Sequence, residues 1–159
     1  ILFEPPNVQL QDLIRQTFRQ RRMSDKSAFE MSTHANALWQ MRICDLPGCL
    51  VRTHLSGEVV RFNLTLTDPI AALLDDDAPW RGVAGEYVVA LGPDSAADPG
   101  RDASLPTLEA SVNAFTRLWL GVRTASGLSY TDALRGPQAL LDRLDHAVRL
   151  PTPHMDWDF

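Results

Sequence analysis

The apolar positions of this chain change period along its length. Leu10, Leu13, Ile14 and Phe18 recur at helical spacing, with Arg15, Arg19 and Arg22 off that face, which predicts a helix from about residue 8 to 22. Ser27-Ala28-Phe29-Glu30 has the form of a capping box. From residue 38 the period becomes two. Trp39, Met41 and Ile43 alternate with Gln40 and Arg42, as in a half-buried strand. Asp45 is placed to cap a short helix, Leu46 to His54, with Pro47 in its first turn. Ser56-Gly57 makes a turn. In the clearest strand, Val60, Phe62, Leu64 and Leu66 face one way and Arg61, Asn63, Thr65 and Thr67 the other, until Asp68-Pro69 ends it.

Residues 70 to 85 read as irregular, and Tyr87, Val89 and Leu91 mark another strand. Gly92 to Ser104, rich in Pro, Gly, Asp and Ala, reads as a mobile surface loop. Leu108, Ala110 and Val112 alternate with Thr107, Glu109 and Ser111, then run into a helix carrying Phe115, Leu118 and Trp119 that Gly121 stops. A short helix is expected over Tyr130 to Leu134. A last one, Pro137 to Leu150, carries Leu140, Leu141, Leu144 and Val148 on one face. Four or five alternating strands joined by short or irregular connections, without regular βαβ crossovers, imply an α+β domain. Its sheet is expected to be largely antiparallel, with helices packed on one side. No repeat breaks the pattern, so a single domain is expected.

Composition narrows the function classes. The 159 residues, 45% hydrophobic and 22% charged, suit a globular domain with its own core. A net charge of −5 argues against a nucleic-acid surface. No apolar run approaches the roughly 20 residues of a membrane span. The start, Ile1-Leu2-Phe3-Glu4-Pro5-Pro6, is not an intact signal peptide and reads as part of something longer. Cys44 and Cys49, the only cysteines, do not make a disulfide framework or a zinc knuckle. They are expected to be small buried residues in a reducing, cytoplasmic setting, with a local disulfide or redox pair as the alternative.

No complete catalytic set is visible. There is no Walker loop, no GxGxxG after a strand and no GxSxG elbow. His34, His54, His146 and His154 lack metal-ligand spacing and read as surface or capping residues. Asp75-Asp76-Asp77 reads as a solvated loop, and the sequon Asn63-Leu64-Thr65 as chance. Arg81-Gly82-Val83-Ala84-Gly85 lacks a glycine that a pyrophosphate loop needs. The terminus is less ordinary. After Pro151 and Pro153, Trp157 and Phe159 interleave with Asp156 and Asp158. Two exposed aromatics would forgo roughly 1.5–3 kcal/mol of burial each. The tail is therefore expected to dock, carrying the two carboxylates and the α-carboxylate to a neighbouring surface, with a loose acidic end as the alternative.

One resemblance gives these features a common reading. Trp39-Gln40-Met41-Arg42-Ile43-Cys44-Asp45-Leu46-Pro47-Gly48-Cys49-Leu50 resembles the "WxRxxDxxxAL" segment of enhanced intracellular survival (Eis) proteins. These are GNAT-type N-acetyltransferases that end in a sterol-carrier-protein-like domain. Val60 to Pro69, Gly85 to Leu91, the Leu108–Gly121 block ending Leu118-Trp119-Leu120-Gly121, and the closing Phe159 are similar to the family's later segments, in the same order. The Asn-x-Gly that usually follows the Asp-Pro is replaced by Ile70 to Asp77, and the glycine expected after Gly121 is Val122.

The resemblance implies a twisted, largely antiparallel five-stranded sheet over residues 38–159, with residues 1–37 as its leading strand and helix. It also implies a preceding acetyltransferase domain in the same polypeptide that holds acetyl-CoA, a small amine substrate, and homo-oligomeric assembly. This chain alone would hold no cofactor and no metal, and would be inactive. Phe159 is the implied catalytic residue, its C-terminal carboxylate acting as general base, with Asp158, Asp156 and Trp157 beside the amine. The alternatives are a lipid or sterol carrier, with the ligand between the sheet and the Leu140/Leu144/Val148 helix, and a purely structural oligomerisation domain.

Overall fold

The computed structural model of the protein describes residues 41–151. The expected helix at 8–22, the capping box at Ser27, His34, Trp39, Gln40, His154 and the acidic-aromatic tail lie outside the described residues. The chain divides between Met41 and Arg42 into two units, and the fold below is that of the second.

Alternation in the sequence becomes a one-sided sheet. Strands β1 (Val60–Thr67), β2 (Gly85–Leu91), β3 (Ala96–Pro99), β4 (Thr107–Ser111) and β5 (Leu134–Arg135) lie in the order β3-β2-β1-β4-β5. The class is α+β as expected. The sheet is mixed: β1 pairs antiparallel with β2 and parallel with β4, and the β2–β3 and β4–β5 pairs are antiparallel. Register places like with like. Phe62 lies opposite Val89, Leu64 opposite Leu108, Leu66 opposite Ala110, and Ala110 opposite Leu134, all of them buried. Arg61, Thr67, Glu86, Glu109 and Arg135 on the other face are exposed.

Helices α1 (Leu46–Leu50), α2 (Val112–Trp119), α3 (Ala125–Thr131) and α4 (Gln138–Ala147) add Leu46, Leu50, Phe115, Leu118, Leu128, Leu140, Leu141 and Leu144 to the same core. Three of the helices begin on a side-chain cap. Asp45 accepts the Gly48 amide, Ser111 that of Ala114 and Thr124 that of Gly127. Among the described residues no helix is long and apolar enough to cross a membrane.

Several expectations need correction. Residues 41–43 are not a strand. The Ile43 amide donates to a helix side chain, Thr116 Oγ1, at 3.3 Å, and the Arg42 side chain pairs with Asp68. Helix α1 stops at Leu50 rather than His54, because Leu55 is buried and its amide donates to Gly92 O at 2.8 Å. Within Gly92–Ser104 lies β3, hidden from sequence reading by its small residues Ala96-Ala97-Asp98-Pro99. The short helix expected at Tyr130–Leu134 begins earlier, and Leu134 belongs to β5. Helix α4 ends at Ala147, short of Leu150, a residue that the following Pro151 pushes away from helical ψ. Cys44 is exposed and Cys49 half-buried, and both are free thiols.

Candidate functional site

The residues expected to do chemistry, Asp156, Trp157, Asp158 and Phe159, lie outside the described residues. The point from which they leave is described. Arg117, Leu118 and Gly121 end α2 in a Schellman turn: the Val122 amide donates to Arg117 O at 2.9 Å and the Gly121 amide to Leu118 O at 2.9 Å. Gly121 has φ +68°, the left-handed region that favours glycine. A Cβ there would also meet the Leu150 Cβ at 2.7 Å and its Cα at 3.4 Å. Leu150 therefore lies over the end of α2 where a side chain at position 121 would stand. Trp119, two residues before Gly121, donates its indole N–H to Thr53 Oγ1 at 2.8 Å, tying α2 to the segment after α1.

A second constellation was not legible as such. Asp68 caps the 3-10 turn Pro69–Leu73, accepting the Ile70 amide at 3.0 Å. It also accepts the Val83 amide at 2.9 Å and a short ionic bond from Arg42, whose guanidinium lies 5.4 Å from the centroid of the Trp80 ring. The Trp80 indole donates to Cys44 O at 3.0 Å. Gly82, at φ +89°, leaves room for this arrangement, since a Cβ would fall 2.5 Å from the Asp68 carboxylate.

Burial opposes ionisation of Asp68, but the Val83 and Ile70 amides and the Arg42 guanidinium outweigh it and hold the carboxyl below its usual range. Such a group stays ionised with its lone pairs committed. It is a lock, not a proton acceptor for a substrate. The same geometry settles the use of the Arg81–Gly85 stretch. Its Val83 amide is taken by Asp68, and Arg81 donates to the carbonyls of Asp75, Asp76 and Ala71.

Other polar pairs have structural partners. Ser126 gives its amide, at 3.2 Å, and its hydroxyl to the Asp145 carboxylate, joining α3 to α4 with no imidazole in the pair. Arg117 and Asp132 form a 2.6 Å ion pair. His54 Nδ1 bonds Pro93 O and His146 Nδ1 bonds Asp142 O. Burial first, then the Asp45 charge, pushes the Cys49 thiol up, which disfavours its thiolate. The sequon residue Asn63 is buried in β1. It donates to the carbonyls of Asp102, at 2.8 Å, and Leu105, at 3.0 Å, and accepts the Asp102 amide at 2.8 Å. Among the described residues no group of His, Cys, Asp and Glu could hold a metal ion.

No protein-family profile and no curated protein matches the chain. Solved structures do. One is a conserved protein of unknown function from Enterococcus faecalis, described as a probable N-acyltransferase, with 25% identity and a TM-score of 0.50. Two are GCN5-related N-acetyltransferases, from Anabaena variabilis (16% identity, TM-score 0.56) and Kribbella flavida (19% identity, TM-score 0.56). Each match covers 70% of this chain, which spans only 25–26% of the length of those proteins. The chain is thus similar in fold to about a quarter of a GCN5-related N-acetyltransferase.

Proposed function

We propose that this chain is the sterol-carrier-protein-like C-terminal domain of an Eis-like N-acetyltransferase. The observation that carries the reading is the kind of neighbour and the share of it matched: three N-acyl- or N-acetyltransferase structures, each about four times the length spanned. The resemblance along the sequence supports it. Arg42, Asp45 and Leu50 keep the spacing of the Eis segment, while Trp39 stands one residue further from Arg42 than in that pattern.

In this reading the domain completes an amine-acetylating site built by a preceding domain of the same polypeptide. Acetyl-CoA, which supplies the acyl group, is held there. The Arg81–Gly85 stretch contributes nothing to it, because its Val83 amide and Arg81 guanidinium are already taken. The Phe159 carboxylate accepts the proton of the small amine substrate, and Asp156 and Asp158 favour its cationic form. A free α-carboxylate has a pKa of about 3.3–3.7, too low for an efficient base at neutral pH. Desolvation by Trp157 and the Phe159 ring raises it toward use. Homo-oligomeric assembly belongs to the same proposal.

Adding one glycine after Phe159 in the full-length protein tests this reading. It moves the carboxylate and keeps both rings. The expected loss in kcat is on the order of 10²–10⁴-fold. An unchanged pH–rate profile with normal folding would overturn it.

A further inference from the structure

We propose that Cys44 and Cys49 form an oxidation site, at which a hydroperoxide converts the two thiols into a reversible disulfide. The residues around them build the first turn of α1. Asp45 is the N-cap, extended at φ −143° and ψ 98°, and its side chain accepts the Gly48 amide at 3.0 Å. Cys44 is thus the residue before the cap, and Cys49 is the fourth residue of the helix. In capped helix starts, side chains at these two positions pack against each other across the first turn. Elsewhere the pair is hydrophobic; here both members are thiols.

The chain is folded back on α1 at this point. It bends at Cys44. Gly48 admits the close approach, since a Cβ there would fall 2.0 Å from the Asp45 carboxylate. Both cysteines are held from other sides. The Cys44 thiol donates to Arg42 O at 3.8 Å, and its carbonyl accepts the Trp80 indole at 3.0 Å. The Cys49 amide donates to Asp45 O at 3.0 Å, and its side chain packs against the core. After burial and Asp45, the charge of Cys44 also pushes the Cys49 thiol up, so each sulfur lies within the field of the other. The pair therefore has one accessible and one shielded member.

That difference assigns the order of steps. The exposed Cys44 thiolate meets the oxidant first and attacks one peroxide oxygen. An S–O bond forms, the O–O bond breaks, and the other oxygen takes a proton and leaves as an alcohol. Cys49 Sγ then attacks Cys44 Sγ. The S–S bond forms, the S–O bond breaks, and the hydroxyl leaves as water with the Cys49 proton. Two thiols and one hydroperoxide give one disulfide, one alcohol and one water. The sulfurs lose the two electrons that the peroxide gains. Proximity favours Cys49 over any dissolved thiol as the attacking group. A small dithiol reverses the change and is itself oxidised to a disulfide. The new bond would close the first turn of α1 covalently, beside the Asp45 cap.

The test treats the full-length protein, natively folded, with tert-butyl hydroperoxide, then unfolds it and alkylates it with iodoacetamide. Trypsin cuts after Arg42 and Arg52, so one peptide, residues 43–52, carries both cysteines. That peptide is expected to be lighter by two hydrogen atoms and to take no label. Prior dithiothreitol should restore both labels. In Cys49→Ala, Cys44 should stop at the sulfenic acid and be trapped by dimedone; in Cys44→Ala, Cys49 should stay reduced. Wild-type Cys44 reaching the sulfinic acid while Cys49 still takes label would overturn the proposal. Full labelling of both thiols after peroxide would do the same, as would a disulfide that forms only after urea has unfolded the chain. These deciding outcomes are read on the wild type, so they hold even if a variant does not fold.

Discussion

The Asp68 carboxylate accepts the amide of Val83, fifteen residues further along the chain, at 2.9 Å. Because it also holds the Ile70 amide, one side chain secures both ends of the loop joining β1 to β2. Asp68→Asn should lower stability by roughly 1–3 kcal/mol, the cost of leaving buried groups badly paired. The 3–5 kcal/mol of a fully buried ion pair is not expected, since the Arg42 side chain is 28% exposed. Urea unfolding measures this, and an unchanged midpoint would show that other groups close the loop.

Acid should erase that difference. The folded-state pKa of Asp68 lies below its unfolded value, so the ionised form favours the fold. The contribution is complete above the unfolded carboxylate pKa of about 3.9 and is lost as pH falls through the lower folded value. The stability gap between wild type and Asp68→Asn should therefore be constant near neutrality and narrow below about pH 4. A gap that persists unchanged at pH 2 would mean that the charge is not what matters.

Asn63→Ala should also cost roughly 1–3 kcal/mol, for the Asp102 amide and the Asp102 and Leu105 carbonyls lose their partner. The effect should be local. Cleavage by an added protease within residues 100–106 should quicken before global unfolding does. Uniform sensitivity across the chain would argue against a tether at Asn63.

Asn63 also marks where reading the sequence stops. The strands at Val60–Thr67 and Thr107–Ser111 were legible because their alternation is strict and β-branched or apolar residues fill one face. The caps at Asp45 and the stop at Gly121 were legible from residue type and place. Asn63 falls on the polar side of that alternation, yet a distant loop folds over it, and no local pattern announces a loop 39 residues away. Strand β3 fails for the opposite reason: Ala96-Ala97-Asp98-Pro99 has poor strand propensity, and pairing with β2 overrides it. The Arg42–Asp68 pair joins residues 26 apart whose partnership only tertiary folding creates. The expected catalytic tail is a different case, since its residues lie outside the described ones.

The two thiols should differ in reactivity. Cys44 is exposed, whereas Cys49 is half-buried and its thiol is pushed up by burial and then by Asp45. Under native conditions at neutral pH, iodoacetamide should modify Cys44 first, followed by mass spectrometry of the peptides. Faster labelling of Cys49 would show that its thiolate is favoured.

The isolated chain should bind neither acetyl-CoA nor a stoichiometric lipid. Leu140, Leu141 and Leu144, the stripe that a carrier would turn toward its ligand, are at most 4% exposed and packed in the core. Calorimetric titration with acetyl-CoA should be flat, and native mass spectrometry should show the bare polypeptide. A micromolar dissociation constant or a reproducible bound fatty acid or sterol would reverse the corresponding expectation.

The parallel pairing of β1 with β4 has a temporal consequence. During synthesis β1, β2 and β3 emerge in succession and can form their antiparallel pairs at once, while the other edge of β1 waits for Thr107–Ser111. In that interval the Asn63 amide, later bonded to Pro106 O at 2.8 Å, is part of an uncapped strand edge flanked by Phe62 and Leu64. Such an edge templates pairing between nascent chains. Truncations ending before residue 107, which leave this edge open, should accordingly aggregate on release from the ribosome more than the full-length chain does.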